Sequence, residues 1–329
     1  MKRKMPASRT IGAALGVTLT IATGLCVAMS FESARAEGIV VHDARGRDVT
    51  IRNTSRIVSI GGAITEILYA LGLQDKIVGI DTTSLYPPKA LAEKPNVGYM
   101  RQLSAEGVLG LSPQLILAIE GSGPKETLDV LEAAKIPFVS FPETYTEQGL
   151  IEKIKLVAHA MDADARGACV AAAVSNDLAE LKKLRDSVKQ PARVMFVMSF
   201  LNGRAMVAGQ HTAANEIIKL AGGVNAIEGF EGYKPVNDEA VVAAKPDIIL
   251  SMQRGREQLD AQTVFANPSF ALTPAAAKKS FVAMDGLYLL GFGPRTAAAA
   301  RDLALSLYPD LNDKAAAWKP AVLTVDCHK

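Results

Sequence analysis

The segment Gly98-Tyr99-Met100-Arg101 holds the side chains with the clearest chemical potential in this chain. A tyrosine phenolate is a hard, anionic oxygen donor, suited to a hard ion such as ferric iron. Arg101 follows two residues later and, in an extended loop, projects to the same side as Tyr99. Its guanidinium favours the ionised phenol and can fork onto a carboxylate of a bound molecule. Most tyrosines only place a ring at a core edge with the hydroxyl in water, so the pair alone decides nothing. Arg254 and Arg256, in Gln253-Arg254-Gly255-Arg256, are a second candidate anion-binding group, with Arg254 nearer the strand. Solvated surface charge is the commoner fate of arginine. His211, in the loop Gly209-Gln210-His211-Thr212, offers an imidazole as a second metal ligand. The plainer role for such a histidine is a loop hydrogen bond.

Catalysis has no comparable support. Gly291-Phe292-Gly293-Pro294-Arg295-Thr296 lacks the third glycine of a dinucleotide fingerprint, and its proline obstructs that turn. The chain has no Walker A lysine motif, no H-E-x-x-H and no nucleophile elbow. It has neither a basic block nor aromatic-basic interleaving, so nucleic acid is not an expected partner. The reading is therefore a binding protein and not an enzyme.

Internal similarity indicates what must position these residues. The stretch from Leu103 to Leu117 matches that from Val236 to Leu250, and each copy places a glutamate, Glu106 or Glu239, seven residues before Pro113 or Pro246. Upstream, Arg56 to Ile60 and then Thr65 to Gly72 match Arg193 to Val197 and then Asn215 to Gly222. Each match is a buried-type strand, a glycine-bearing loop and a helix ending at glycine. Strand and helix signals alternate throughout, which predicts an α/β fold of two doubly wound, Rossmann-like lobes with a ligand cleft between them. The stretch from Asp164 to about Val188 is rich in Ala, Leu, Lys and Glu, with Asp164 able to cap its start and Pro191 beyond its end. It predicts one long helix of about six or seven turns joining the lobes, stiffly enough to limit hinge closure. A surface helix belonging to one lobe is the competing reading.

The N-terminus reads as an export signal: Lys2, Arg3, Lys4 and Arg9 precede an apolar run from Ile11 to Met29, and Ala34-Arg35-Ala36 offers a cleavage site. Gly12, Gly16, Thr18, Thr20 and Gly24 dilute the run as a membrane anchor. A lipoprotein reading would use Cys26, but Leu25 stands where a small residue is expected. The expected organisation is a signal peptide over 1–36, an N-terminal α/β lobe over 37–163, a linker helix over 164–190 and a C-terminal α/β lobe over 191–329. No membrane insertion is expected after signal removal. Cys169 and Cys327 then remain in an oxidising compartment, where one disulfide is allowed and two free thiols are the plainer reading.

The segments Arg56 to Gly62, Val97 to Glu106, Thr212 to Ile218 and Leu290 to Thr296 resemble the periplasmic haem-binding proteins of bacterial haem ABC importers. That family sits in a broader group that also carries cobalamin and iron-siderophores. The resemblance covers the chain from about Gly38 onward, and Gly-Tyr-x-Arg-x-Leu-Ser-x-Glu is its most specific part. It implies a periplasmic protein with haem as its transported ligand. Tyr99 would be the axial ligand of the haem iron, a recognised role for tyrosine. Arg101, Arg254 and Arg256 would meet the propionates, and His211 is a possible second haem ligand. The implied partner is an ABC permease dimer with its ATPase subunits, with Glu106 and Glu239 docking into arginine-bearing permease pockets. Two alternatives stand beside this reading. One is a ferric-siderophore or cobalamin carrier of the same type; the other is an exported two-domain α/β enzyme, which would need a convergent nucleophile and base.

Overall fold

The computed structural model describes residues 38–254 and 257–328, with the backbone alone at 254, 257 and 258. The expected signal segment and Arg256 lie outside the described residues. An antiparallel hairpin, β1 (Ile39–His42) and β2 (Asp48–Ile51), comes first. Strand β3 (Ile57–Ile60) leads into α1 (Gly62–Ala70), and β4 (Ile77–Ile80) leads past the short α2 (Ala90–Glu93) to the antiparallel pair β5 (Gly98–Tyr99) and β6 (Gln102–Leu103). Then follow α3 (Ala105–Leu109), β7 (Leu115–Ile119), α4 (Lys125–Ala133), β8 (Phe138–Phe141) and α5 (Glu147–Ala160). Strands β4, β3, β7 and β8 form a parallel sheet in that order. All residues of β3, β7 and β8 are buried, as continuous apolar runs must be when helices cover both faces of a sheet.

Helix α6 (Asp164–Asp186) separates this half from the next. The second half contains β9 (Arg193–Leu201), β10 (Arg204–Ala208), α7 (Ala213–Leu220), β11 (Val224–Asn225), β12 (Tyr233–Pro235), α8 (Asp238–Ala244), β13 (Ile248–Arg254) and β14 (Glu257–Gln258). It ends with α9 (Ala261–Ala266), α10 (Pro268–Ala271), α11 (Pro274–Lys278), β15 (Phe281–Asp285), α12 (Gly286–Leu290) and α13 (Thr296–Leu307). Strands β11, β9, β13 and β15 pair in parallel, while β10, β12 and β14 add antiparallel edges. The two-lobed α/β class read from the sequence is the one found. The repeat holds at Glu106 and Glu239, which occupy the first turns of α3 and α8 behind the caps Ser104 and Asn237. It is interrupted at β9 and α7, where the β10 hairpin strand intervenes between strand and helix.

Helix α6 packs on α5 from the first half and on α7 and α13 from the second. Asp164 does not cap it. The N-cap is Ala163, without a side-chain bond, and Asp164 sits in the first turn, 3.3 Å from His159 Nδ1. Cys169 and Cys327 form a disulfide, which replaces the plainer reading of free thiols and ties the C-terminal segment to α6. Buried Asp177 pins the same segment by accepting from Trp318 Nε1, Ala321 N and Val322 N at 3.3, 2.6 and 3.0 Å.

One continuous apolar cluster runs through both halves, from Ile57 and Leu117 to Phe196, Leu250 and Leu303. A buried ion pair crosses the same interface. Glu66 of α1 accepts from Arg295 backbone N at 3.1 Å and from its Nη2 at 2.9 Å, with only 5% and 14% of the two side chains exposed. The Arg295 guanidinium also lies over the Tyr86 ring at 3.5 Å. Removing one partner leaves the other charge buried and unpaired. Glu66→Ala should therefore lower the unfolding free energy in urea by roughly 3–5 kcal/mol. A loss of less than about 1 kcal/mol would mean the pair behaves like a solvated surface bridge.

Candidate functional site

Loops and strand ends from both halves converge on a cavity of about 610 Å³. Its lining includes Gly61 and Gly62 after β3, Thr82 and Thr83 after β4, Glu143 and Tyr145 after β8, and Met252, Gln253 and Gly286 at the ends of β13 and β15. These are carboxyl ends of parallel strands, where open α/β sheets bind ligands. The volume falls in the range of small-molecule and cofactor sites, roughly 300–1,000 Å³.

The glycine pair makes the room. Gly61 has φ +104, a conformation that disfavours other residues, and a Cβ there would stand 2.7 Å from Ile119 Cγ2. A Cβ on Gly62 would stand 2.4 Å from Thr83 O. Fully buried Asp81 holds this loop by accepting from Gly61 N, Thr83 N, Thr83 Oγ1 and Ser84 Oγ at 2.7–3.0 Å. Helices α1 and α7 begin at the cavity, with Gly62, Ala63 and Ala213 in its wall. Their N-terminal dipole ends favour an anionic guest.

Tyr99 and Arg101 meet as the sequence suggests. Arg101 Nη1 donates to Tyr99 Oη at 2.7 Å, and both line the cavity. Tyr99 is half-buried and Arg101 exposed, so the phenol oxygen has a cation on one side and open cavity on the other. Arg254 ends β13 next to cavity-lining Gln253; its side chain, like the whole of Arg256, lies outside the described residues. His211 is not in the lining. It adopts φ 54 on the surface with Nδ1 3.0 Å from Glu231 Oε1, both side chains being exposed. Glu106 and Glu239 are exposed on their helices, outside the lining.

Several lining residues escaped the sequence reading. Tyr145 and Tyr233 bring two further phenols, the first packed edge-on against Phe292 at 5.1 Å between ring centres. Burial pushes both phenols above the ordinary tyrosine range, and nearby Glu143 adds to the effect. Glu143 is held by fully buried Lys153, whose Nζ lies 3.0 Å from Glu143 Oε1 and 3.4 Å from Phe292 O in the other half. One signal was available: Lys153 falls on the buried stripe of α5 with Leu150, Ile154 and Val157. A lysine on an apolar stripe requires a partner.

The family model described as periplasmic binding protein matches residues 57–287. Among solved structures, the chain is 38% identical to the periplasmic heme-binding protein BhuT in complex with two hemes, at TM-score 0.73, covering 78% of this chain and 98% of that one. It is 38% identical to the periplasmic heme-binding protein RhuT from Roseiflexus sp. RS-1, at TM-score 0.74 and coverages of 78% and 99%. Against the periplasmic heme-binding protein HutB of Vibrio cholerae the values are 32%, 0.70, 78% and 100%. Among curated sequences, an uncharacterized ABC transporter substrate-binding lipoprotein, YvrC of Bacillus subtilis, is 27% identical over 83% of this chain and 86% of its own. The vitamin B12-binding protein of Yersinia pestis is 27% identical over 69% and 79%.

The buried phenols set a pH dependence. Their protons are held more tightly in the folded chain than in the unfolded one, where tyrosine titrates near 10.0. The stability they contribute is complete below that value and is lost as pH rises past it towards the folded values. Tyr145→Phe and Tyr233→Phe should each soften the alkaline fall of the urea midpoint. An equally steep fall in both variants would remove the assignment.

Proposed function

The chain belongs to the periplasmic binding protein family, and we propose that it captures haem in the cavity between its two halves and delivers it to an inner-membrane ABC permease. The observation that carries this reading is Arg101 Nη1 donating to Tyr99 Oη at 2.7 Å inside a cavity large enough for the ligand. A tyrosine oxygen that binds iron does so as a phenolate, a hard donor suited to ferric haem. Leu85, Met100, Met198, Leu287 and Leu290 give the cavity apolar walls for a porphyrin. Arg101, Arg254 and Arg256 would hold the propionates. His211 already has Glu231 as its partner, so this reading assigns it no iron. The relatives described as heme-binding support the ligand. The B12-binding relative keeps cobalamin as the second reading, but a tyrosine–arginine pair in the wall suits ferric haem better.

In this reading the protein is a carrier and not an enzyme, cleaved after Ala36 and free in the periplasm. Residues 37–163 and 191–329 act as two lobes, and 164–190, with α6 at its centre, acts as a stiff spacer. Permease and ATPase subunits form the receiving partner. Glu106 and Glu239 dock to it as matched charges, which mainly steers and orients encounter.

Haemin added to the mature protein should give a saturable Soret band of tyrosinate type. Tyr99→Ala should abolish that spectrum and weaken binding far more than Tyr308→Phe, while Arg101→Ala, an exposed contact that water can replace, should cost less. An unchanged spectrum in Tyr99→Ala would refute the ligand assignment. For docking, the Glu106→Ala, Glu239→Ala double variant should keep its haemin affinity yet fail to stimulate the permease's ATPase in vesicles. Normal transport by that variant would dismiss the docking role and leave the ligand untouched.

A further inference from the structure

Two methionines of the second sheet, Met198 on β9 and Met252 on β13, line the cavity. Strand β13 pairs with β15 at Met252↔Met284 and with β9 at Leu250↔Phe196. Ser251 Oγ donates to Val197 O at 2.9 Å, so β13 and β9 are still adjacent past that last pair. Met198 follows on β9 at the point where its register with β10 shifts, and Met198 and Met252 both line the cavity. Met284 is half-buried beside Met252. A Cβ on Gly286 would stand 3.5 Å from Met252 Sδ, an ordinary contact.

Methionine is a common filler of irregular cores, and Met195, fully buried in the second apolar cluster, has that role. Met198 and Met252 differ because both open onto the ligand cavity. The first half thus supplies a hard oxygen donor, Tyr99, with buried Met100 next to it, and the second half supplies two further sulfur donors to the same space. Hard anionic oxygen favours the ferric state, whereas a neutral thioether favours softer, reduced metal and raises a haem's potential.

Resting on the haem reading, we propose that Met252, with Met198 in the same cavity lining, forms a soft-donor subsite for the iron of reduced haem. The cavity then holds ferric haem through Tyr99 and ferrous haem through a thioether. One electron from an external one-electron donor converts Fe(III) to Fe(II). The Fe–O bond to Tyr99 breaks, the phenolate takes a proton from solvent, and a sulfur lone pair forms the new Fe–S bond. Reduction would in this way free the haem from the loop that captured it without expelling it from the cavity.

The test loads mature wild type, Tyr99→Phe and the Met198→Leu, Met252→Leu double variant with haemin, then reduces each with dithionite under nitrogen. Iron-edge X-ray absorption should show a sulfur atom in the first shell of the reduced wild type and of reduced Tyr99→Phe, and none in the double variant. The ratio of ferrous to ferric affinity should fall about tenfold in the double variant and rise in Tyr99→Phe. A reduced wild-type complex without a sulfur neighbour overturns the proposal whether or not the double variant folds, as does a sulfur shell that survives both substitutions. Failure of wild type to bind ferric haemin at all would overturn the haem reading beneath it.

Discussion

The two halves that form the cavity are cross-linked by charges buried away from water, each of which needs its partner. Glu66 lies under the Gly61-Gly62 loop and grips Arg295 through both carboxylate oxygens. Lys153 reaches from α5 to a carbonyl of the Gly291-Phe292-Gly293 turn while neutralising Glu143 in the cavity wall. Separating the halves would expose the apolar cluster running through both sheets, and tilting them without admitting water would leave these charges buried and unpaired. Helix α6 alone would leave the halves free to rock about its ends. The buried cross-links make that motion expensive.

Within this frame the chemistry of the wall is graded. Glycines and the Asp81 network form a floor where no side chain intrudes. Helix starts at Gly62 and Ala213 give that floor a positive partial charge. Half-buried Tyr145 and Tyr233 keep their protons through desolvation and present hydroxyls, whereas Tyr99 accepts a hydrogen bond from the Arg101 guanidinium. Three phenols in one cavity are thus held differently: desolvation keeps two of them protonated, while the third accepts a hydrogen bond from Arg101.

What could be read from the sequence was what is local. Tyr99 and Arg101 lie two residues apart in a short strand pair, so their meeting needed no knowledge of the fold. The span of α6 followed from composition, and the matched placement of Glu106 and Glu239 followed from repetition. What stayed hidden depends on folding at a distance. Cys169 and Cys327 are 158 residues apart, and no spacing rule joins them. Tyr233 and Met252 enter the cavity only because the second sheet turns its strand ends towards the first half. The misplaced cap at Asp164 is a smaller case, since Ala163 already supplies the turn geometry and His159 takes the carboxylate. The β10 hairpin strand was missed because the repeat suggested a simple strand, loop and helix there.

In the proposed reading the receiving permease opens the cavity, and a partner can shift a conformational balance only by its differential affinity for the two states. The chain offers a route for that force. Tyr99 ends β5, and β6 and the cap Ser104 follow directly into the first turn of α3, where Glu106 is exposed. In the other half Tyr233 begins β12, and the cap Asn237 leads into the first turn of α8, where Glu239 is exposed. Each proposed docking carboxylate is thus one short strand and one capped turn away from a cavity tyrosine. The β5–β6 pair is tied to the loops after β4 and β7 by Thr82 N donating to Gly98 O, Gly123 N to Met100 O and Leu103 N to Gly123 O, so strain applied at Glu106 would reach Tyr99 together with those two loops of the cavity wall.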